Sequence, residues 1–507
     1  MQSQSNYDVI VVGGGPSGFI AATAAARLGA KTLLIERYGF LGGMPTAACI
    51  GPISPFHFQD EQVVAGIPQQ FIDRMVSLGG STGHAKTTDP KGHGSYVCFY
   101  DRQIYKWAAL QMVREAGAEL LLHSFVSDVA VEAGKVRAVT TISKSGARTF
   151  GARVVVDASG DGDVAALAGA PYTVGNSDGA LQPATLMFEM AQVDTGAVKA
   201  YMDANPHDFW RRSEIVTMRP FAPQLEKRHF CGQGFVQAVR EATADGELQL
   251  GRDSVLFWTT VRPGVLHFNT SRVARVNALS AEDLTRAEIE GREQVMSLAG
   301  FLRKRVPGFA NAYVSDTGVQ IGIRESRHIL GDHVLTQDEV CRGTKQPDVI
   351  ARGYFPIDIH NPHGRQGAVN DGGVWHDIDD SYDIPFRCLL PRGLEGLLVA
   401  GRAISATHES HASFRTQGGV MAIGHAAGAA AALAARDGIE PRGIDVGALQ
   451  LALEAEGALL RHDPVRAERE RQRANEAVQD ALARGLISQA YLRPVQSNAQ
   501  APARAAG

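Results

Sequence analysis

Residues 7–36 read YDVIVVGGGPSGFIAATAAARLGAKTLLIE, and their order decides the fold. The apolar run from Val9 to Val12 has the character of a buried parallel strand. Gly13-Gly14-Gly15-Pro16-Ser17-Gly18 follows at once, then an alanine-rich helix, then a second apolar strand from Lys31 to Ile35 that ends in Glu36. Gly13 permits the tight turn, Gly15 lets a pyrophosphate approach the backbone, and Gly18 lets the helix pack close to the strand. The helix N-terminus offers unpaired N–H groups and the positive end of its dipole to phosphates. The Glu36 carboxylate can accept hydrogen bonds from ribose hydroxyls. A glycine-rich turn alone is a weak signal. Strand, turn, helix, strand and acid in this order predict a dinucleotide site on a Rossmann-like α/β unit.

The bulk composition bounds the rest. A chain of 507 residues exceeds one typical core and predicts two domains with appendages. With 44% hydrophobic and 21% charged residues it reads as an ordinary globular protein. A net charge of −4 gives no support for nucleic acid as the main partner. No basic stretch precedes an apolar one at the N-terminus, so no signal peptide is expected. Cys49, Cys98, Cys231, Cys341 and Cys388 are odd in number and widely spaced, without a CxxC pair. That pattern argues against a disulfide scaffold, a zinc site or an iron–sulfur cluster, and points to a reducing cytoplasm. No metal ligand is predicted. The apolar run Met421 to Ala435 is interrupted by His425 and reads as too short to span a membrane, so no membrane association is expected.

Along the chain, Gly42-Gly43 follows the acidic strand end and suggests backbone lying against a ligand. From Pro52 to Gly94 the sequence is loop-rich and reads as an insertion covering one side of the site. Asp101 to Gly117 has helical spacing, and short alternating runs up to VVVDASG suggest an antiparallel meander. Ser159-Gly160-Asp161 forms a second close-approach turn, after which Asp163 is placed to cap a helix. The predicted organisation is a first part of the nucleotide-binding domain over 1–170 and an inserted α+β substrate domain over 171–308. A second part of the first domain follows over 309–440, and a helical tail over 441–507 has an end of disordered composition. The segment HASFRTQGGVMAIGHAAGAAAALAA reads as a glycine-rich lead into a long, tightly packed helix. Its small residues fit either helix packing or a helix N-terminus set against negative charge.

Several separate motifs resemble the FAD-dependent oxidoreductases of the glutathione-reductase-type flavoprotein group, more distantly the fumarate reductases. They are GGGPSG at Gly13–Gly18, Glu36, Gly42–Gly43, VVVDASGDGDVA at Val154–Ala165 and GIRESRHILGDHVLT at Gly322–Thr336. YDIPFRCLLP at Tyr382–Pro391 and LLVAGRAISATHESHASFRTQGGVMAIGHAAG at Leu397–Gly428 complete the set. The resemblance implies FAD rather than NAD. It implies a pyrophosphate loop of Gly13, Gly15, Pro16, Ser17 and Gly18, with Glu36 on the ribose and Arg37 beside it. Val126 falls where the family offers adenine a backbone contact, and Gly42, Gly43 and Met44 run beside the flavin end. Ser159, Gly160 and Asp161 match an ATG-like turn with Ser in place of Thr. Gly401, Arg402, Gly418, Gly419, Ile423 and Gly424 are implied to line the ribityl and pyrimidine parts.

For the chemistry, His408, Arg415, His360, Arg324 and His411 are the candidate catalytic residues. Arginine suits bidentate carboxylate binding, and histidine suits proton transfer near neutral pH. Arg327 reads better as part of an internal ion pair, and Cys49 as a packing thiol. The expected function is hydride transfer between a small organic substrate and flavin N5. An FAD-dependent monooxygenase reduced by NAD(P)H and an electron-transfer flavoprotein subunit stay open as alternatives, as does a homo-oligomeric state. Against the monooxygenase, Gly401 is followed by Arg402 where a Gly-Asp pair is usual.

Overall fold

The computed structural model describes residues 6–88, 96–217, 229–363 and 373–492. The strand Asn6–Val12 lies between Thr32–Ile35 and Gly146–Asp157, parallel to both. Glu119–Leu121 pairs with Thr32–Ile35 at one edge, and Leu397–Val399 pairs with the end of Gly146–Asp157, also in parallel. Val9, Ile10 and Val11 are fully buried, as a strand covered on both faces requires.

Gly146–Asp157 is long enough to serve two partners. Its first half pairs antiparallel with Lys135–Ser143, which pairs in turn with Phe125–Glu132, so the expected meander grows from the parallel sheet. The return of the chain at Leu397–Val399 makes the late segment part of the nucleotide-binding sheet.

The helix Pro16–Arg27 packs against Gln417–Asp437 with their backbones in contact. A Cβ at Gly424 would stand 2.2 Å from the Ser17 carbonyl oxygen, and one at Gly428 2.1 Å from that of Ala21. The second helix runs 21 residues and is, by length and composition, apolar enough to cross a membrane, which corrects the expectation that it is too short. Its apolar window is 94% buried inside the fold, so it is a core helix.

The second unit is an eight-stranded antiparallel sheet. Its strand order is Tyr313–Thr317, Phe188–Ala191, Leu266–Phe268, Val255–Thr259, Phe230–Gly234, Phe209–Thr217, Ala85–Thr87 and Tyr96–Val97. Its core, from Ala184 to Ile321, includes the face of the helix Ala281–Arg305. The sheet thus reaches beyond 171–308, taking Ala85–Thr87 from the segment read as a loop-rich insertion, Tyr96–Val97 from just after it, and Tyr313–Thr317 from the other side. The loop-rich segment also holds a helix, Ile67–Ser77, which buries Phe71, Ile72 and Met75.

Asp101 caps the helix Arg102–Glu115 by accepting the Gln103 N–H at 2.7 Å. Asp163 does not cap. Gly162, in the left-handed region at φ 67°, precedes the helix, and the Asp163 carboxylate binds Arg327 instead. The tail forms the helices Val446–Ala455 and Pro464–Ala483, and its final stretch, 493–507, lies outside the described residues.

Candidate active site

A cavity of 470 Å³ opens at the carboxyl ends of the parallel strands and runs on to the face of the antiparallel sheet. At its first end stand Glu36, Arg37 and Val126. Glu36 is buried and accepts N–H groups from Gly14 at 2.5 Å and Tyr38 at 2.8 Å. Burial raises its carboxyl above the ordinary value, and the two N–H groups oppose that rise. Arg37 reaches across to Gln320 Oε1 at 3.1 Å.

The glycine turn divides by purpose. Gly13 has φ 98°, and a Cβ there would lie 2.4 Å from the Ala158 carbonyl oxygen. A Cβ at Gly18 would lie 1.7 Å from the Gly13 carbonyl oxygen, so Gly18 is required by packing and does not line the cavity. Gly15 is different. Its φ of −68° suits any residue, and a Cβ would meet nothing nearer than Gly43 Cα at 3.8 Å. Neither its backbone angles nor the space around a Cβ requires a glycine there; a Cβ would stand at the cavity wall. The Ser17 hydroxyl, which lines the same stretch, is buried without a partner among the described residues. An open glycine, an unpartnered hydroxyl and the N-terminus of Pro16–Arg27 form a cradle that fits a pyrophosphate.

Across this cradle lie Ser159, Gly160, Asp161, Gly401 and Arg402. Burial opposes the charge of Asp161, but the Arg402 guanidinium and the Ser326 hydroxyl, at 2.7 Å, hold its carboxyl below the ordinary value. Arg327 donates to the Asp161 carbonyl at 3.0 Å and pairs with Asp163 at 2.9 Å, the internal ion pair expected of it.

The middle of the cavity is formed by Gly43, Met44 and Pro45 on one side and Thr416, Gln417 and Val420 on the other. Gln417 donates to the Ile50 carbonyl at 2.9 Å, and its amide oxygen is buried without a partner among the described residues. These residues would hold the flavin ring.

Several expected contacts are displaced by packing. Gly42 donates to the Gly14 carbonyl at 2.8 Å, and a Cβ on it would strike Thr46 and Tyr105, so it shapes the loop without lining the cavity. Gly418, Gly419, Ile423 and Gly424 do not line it either. Gly418 lies against Tyr354 and Phe56, Gly419 against the Phe414 carbonyl, and Gly424 against Ser17, while Ile423 is fully buried. The first turn of that helix makes the contact, through Thr416, Gln417 and Val420, which the sequence reading missed.

At the far end Arg324, Arg415, His360 and Asp358 meet. Arg415 Nη2 donates to the Asp358 carbonyl at 3.1 Å and lies 3.8 Å from its carboxylate. His360 Nε2 is 3.4 Å from the same carboxylate, and its Nδ1 is 3.3 Å from Arg272 Nη2. Burial opposes the Asp358 charge, but His360 and Arg415 hold its carboxyl well below the ordinary value. Arg324 donates to Pro183 O at 3.4 Å and to Thr185 Oγ1 at 3.2 Å, both neutral.

His408 and His411 do not line the cavity, which corrects their assignment to direct chemistry. Glu325 Oε1 faces His408 Nδ1 at 2.6 Å and His328 Nε2 at 2.9 Å. The His411 ring sits edge-on to His328 at 4.7 Å, and burial pushes it well below its ordinary pKa. Glu325, His328 and His411 each bring one potential metal-ligand atom within 4.8 Å of the others, a grouping the sequence spacing did not predict. The Glu325 carboxylate is already engaged with two imidazoles, so this is a buried network supporting the segments that carry Arg324 and Arg415.

Cys49 is buried, its thiol pushed up to about 12 by burial, and it does not line the cavity. Cys231 does, with Sγ 2.7 Å from Ser213 Oγ. Sequence reasoning missed it because nothing local marks that strand as facing a ligand.

The family model for FAD dependent oxidoreductases matches residues 8–453. The chain belongs to this family. FAD is its cofactor, which the cradle at Gly15 fits. The digeranylgeranylglycerophospholipid reductase of Methanoculleus marisnigri is 28% identical over 160 residues, covering 31% of this chain and 39% of the relative. Digeranylgeranylglycerophospholipid reductase 1 of Methanococcoides burtonii is 25% identical over 162 residues, covering 31% and 38%. The matched region thus spans well under half the length of either relative. Among solved structures, a geranylgeranyl bacteriochlorophyll reductase-like protein from Thermoplasma acidophilum is 15% identical with a TM-score of 0.44, covering 97% of this chain and 90% of that one. The p-nitrophenol 4-monooxygenase of Pseudomonas putida is 12% identical with a TM-score of 0.42, covering 97% and 100%. Neither structural likeness bears on individual site residues.

Proposed function

We propose that this oxidoreductase transfers a hydride between a small organic substrate and N5 of its FAD. The observation that carries the reading is the continuity of one cavity from the pyrophosphate cradle, past Gly43–Pro45 and Gln417, to the group of Arg324, Arg415 and His360. Bound FAD supplies the two-electron acceptor or donor. The chain's own residues do the rest. Phe99, Trp258 and Phe355 present apolar surface that excludes water from the far end. Arg324 and Arg415 orient the substrate. His360, whose ring lies between Asp358 and Arg272 at this end of the cavity, is the group assigned to take or return a proton when a hydroxyl or amine is oxidised.

Anaerobic visible spectra test this directly. Organic substrates from a panel of alcohols, amines and hydroxy acids are expected to bleach the flavin band, while NADH and NADPH leave it in place. Rapid bleaching by a nicotinamide, with none by the panel, would move the enzyme to the reductases or monooxygenases.

A further inference from the structure

We propose that the substrate carries a carboxylate, bound by Arg324 and Arg415 at the far end of the cavity, with its apolar body against Phe99, Trp258 and Phe355. The inference rests on the hydride-transfer reading for its place in the reaction, but the binding site stands on its own geometry.

Among the described residues the charges at this end do not balance. Arg324 lines the cavity and has no carboxylate partner among the described residues; its acceptors are a carbonyl and a hydroxyl. Arg415 shares Asp358 with His360, at a carboxylate distance of 3.8 Å. Its Nε is buried without a partner among the described residues, although the residue is 17% exposed and lines the cavity. Among the described residues, the guanidiniums of Arg324 and Arg415 therefore line one cavity where Asp358, shared by Arg415 and His360, is the carboxylate found in contact with either.

Burial and the nearby Arg415 push Arg324 down to about 9. Because a guanidinium keeps its proton, this measures the cost of holding the charge there, which an incoming anion offsets. The phosphates of FAD do not fill this role, since their cradle is at Gly13–Ser17. A planar carboxylate matches the fork of a guanidinium through two parallel hydrogen bonds.

The test uses the full-length FAD-loaded protein and three acid–amide pairs: lactate and lactamide, hexanoate and hexanamide, phenylacetate and phenylacetamide. Binding is followed by the flavin difference spectrum and by calorimetry. At least one acid is expected to bind tenfold or more tightly than its amide. Arg324→Met and Arg415→Met should each remove that preference by weakening acid binding far more than amide binding, with FAD content unchanged. Arg324→Lys, which keeps the charge, should restore part of the preference and serves as a folding control.

Equal affinity within all three pairs, or unchanged acid affinity in both Met variants, overturns the proposal. Loss of FAD in the Met variants without loss of acid preference also overturns it, by assigning the arginines to the flavin. If acids bind selectively but no organic substrate bleaches the flavin, the carboxylate site stands and the hydride-transfer reading fails. If a neutral alcohol or amine bleaches it while no acid is preferred, the reverse holds.

Discussion

The two halves of the cavity are built by opposite means. The nucleotide half is made from backbone: glycines at 13, 15, 43, 160 and 401, and a helix N-terminus, all set by contiguous motifs at the ends of parallel strands. The far half is made from side chains that arrive from separate stretches, Arg324, Asp358, His360 and Arg415 among them, with Trp258 and Cys231 from the antiparallel sheet. Backbone contact recognises what all FAD molecules share. Side chains can change without disturbing the sheet, and the proposed function places specificity there.

The comparison breaks most visibly at Gly18, where packing alone demands glycine. Gly18→Val places carbon inside the Gly13 carbonyl, and backbone cannot yield as a side chain does. We expect a loss of about 3 kcal/mol or more, read as insoluble protein or a strongly lowered melting temperature. Glu325→Ala tests the support behind the far half. It strands the buried imidazoles of His328 and His408 and should cost about 3 kcal/mol in thermal unfolding.

The same residue sets a pH dependence. Burial works against the Glu325 charge, but its histidine partners hold its folded carboxyl well below the ordinary value of 4.5. Its contribution is therefore present above that value and lost as the pH falls below it. The wild-type melting temperature should drop with acid more steeply than that of Glu325→Gln, and parallel slopes would contradict the network.

His360→Asn leaves the nucleotide half untouched and removes the proton carrier. FAD content should stay constant while flavin reduction by substrate slows by about a hundredfold in stopped-flow traces. Cys49→Ala should have the smallest effect. The flavin spectrum and reduction rate are expected to stay at wild-type values, with stability changed by about 1 kcal/mol at most.

The same contrast explains what was legible beforehand. The βαβ unit, Glu36 and the meander were readable because each is a local pattern of apolar runs and glycines, while the return of the late segment to the first domain was implied by the family resemblance. The eight-stranded sheet was not, since Ala85–Thr87 pairs with residues 215–217 far along the chain and no local period encodes that partner. The helix Ile67–Ser77 was overlooked among Gly, Pro and His, although Ile67, Phe71 and Met75 recur at helical spacing.

In the helix Gln417–Asp437 the glycines drew attention away from the residues that touch the cavity. A helix advances 1.5 Å per residue, so Gly424 lies about 10 Å beyond Gln417 and meets Ser17 instead. His408 and His411 were singled out by residue type, but type does not report that His408 is held by Glu325 and that His411 packs against His328 behind the site. Arg324, Arg415 and His360 were also chosen by type, and here the fold brings them to one cavity.

The most direct measurement is the ratio of flavin to protein absorbance in purified Gly15→Val and Arg415→Met, side by side with wild type. Gly15→Val should fold, melting like wild type stripped of FAD, yet be colourless, because its side chain occupies only the pyrophosphate cradle. Arg415→Met should be yellow at the wild-type ratio. A Gly15→Val protein that retains full FAD, or an Arg415→Met protein that loses it, would contradict the division of the cavity into a backbone-built cofactor half and a side-chain-built substrate half.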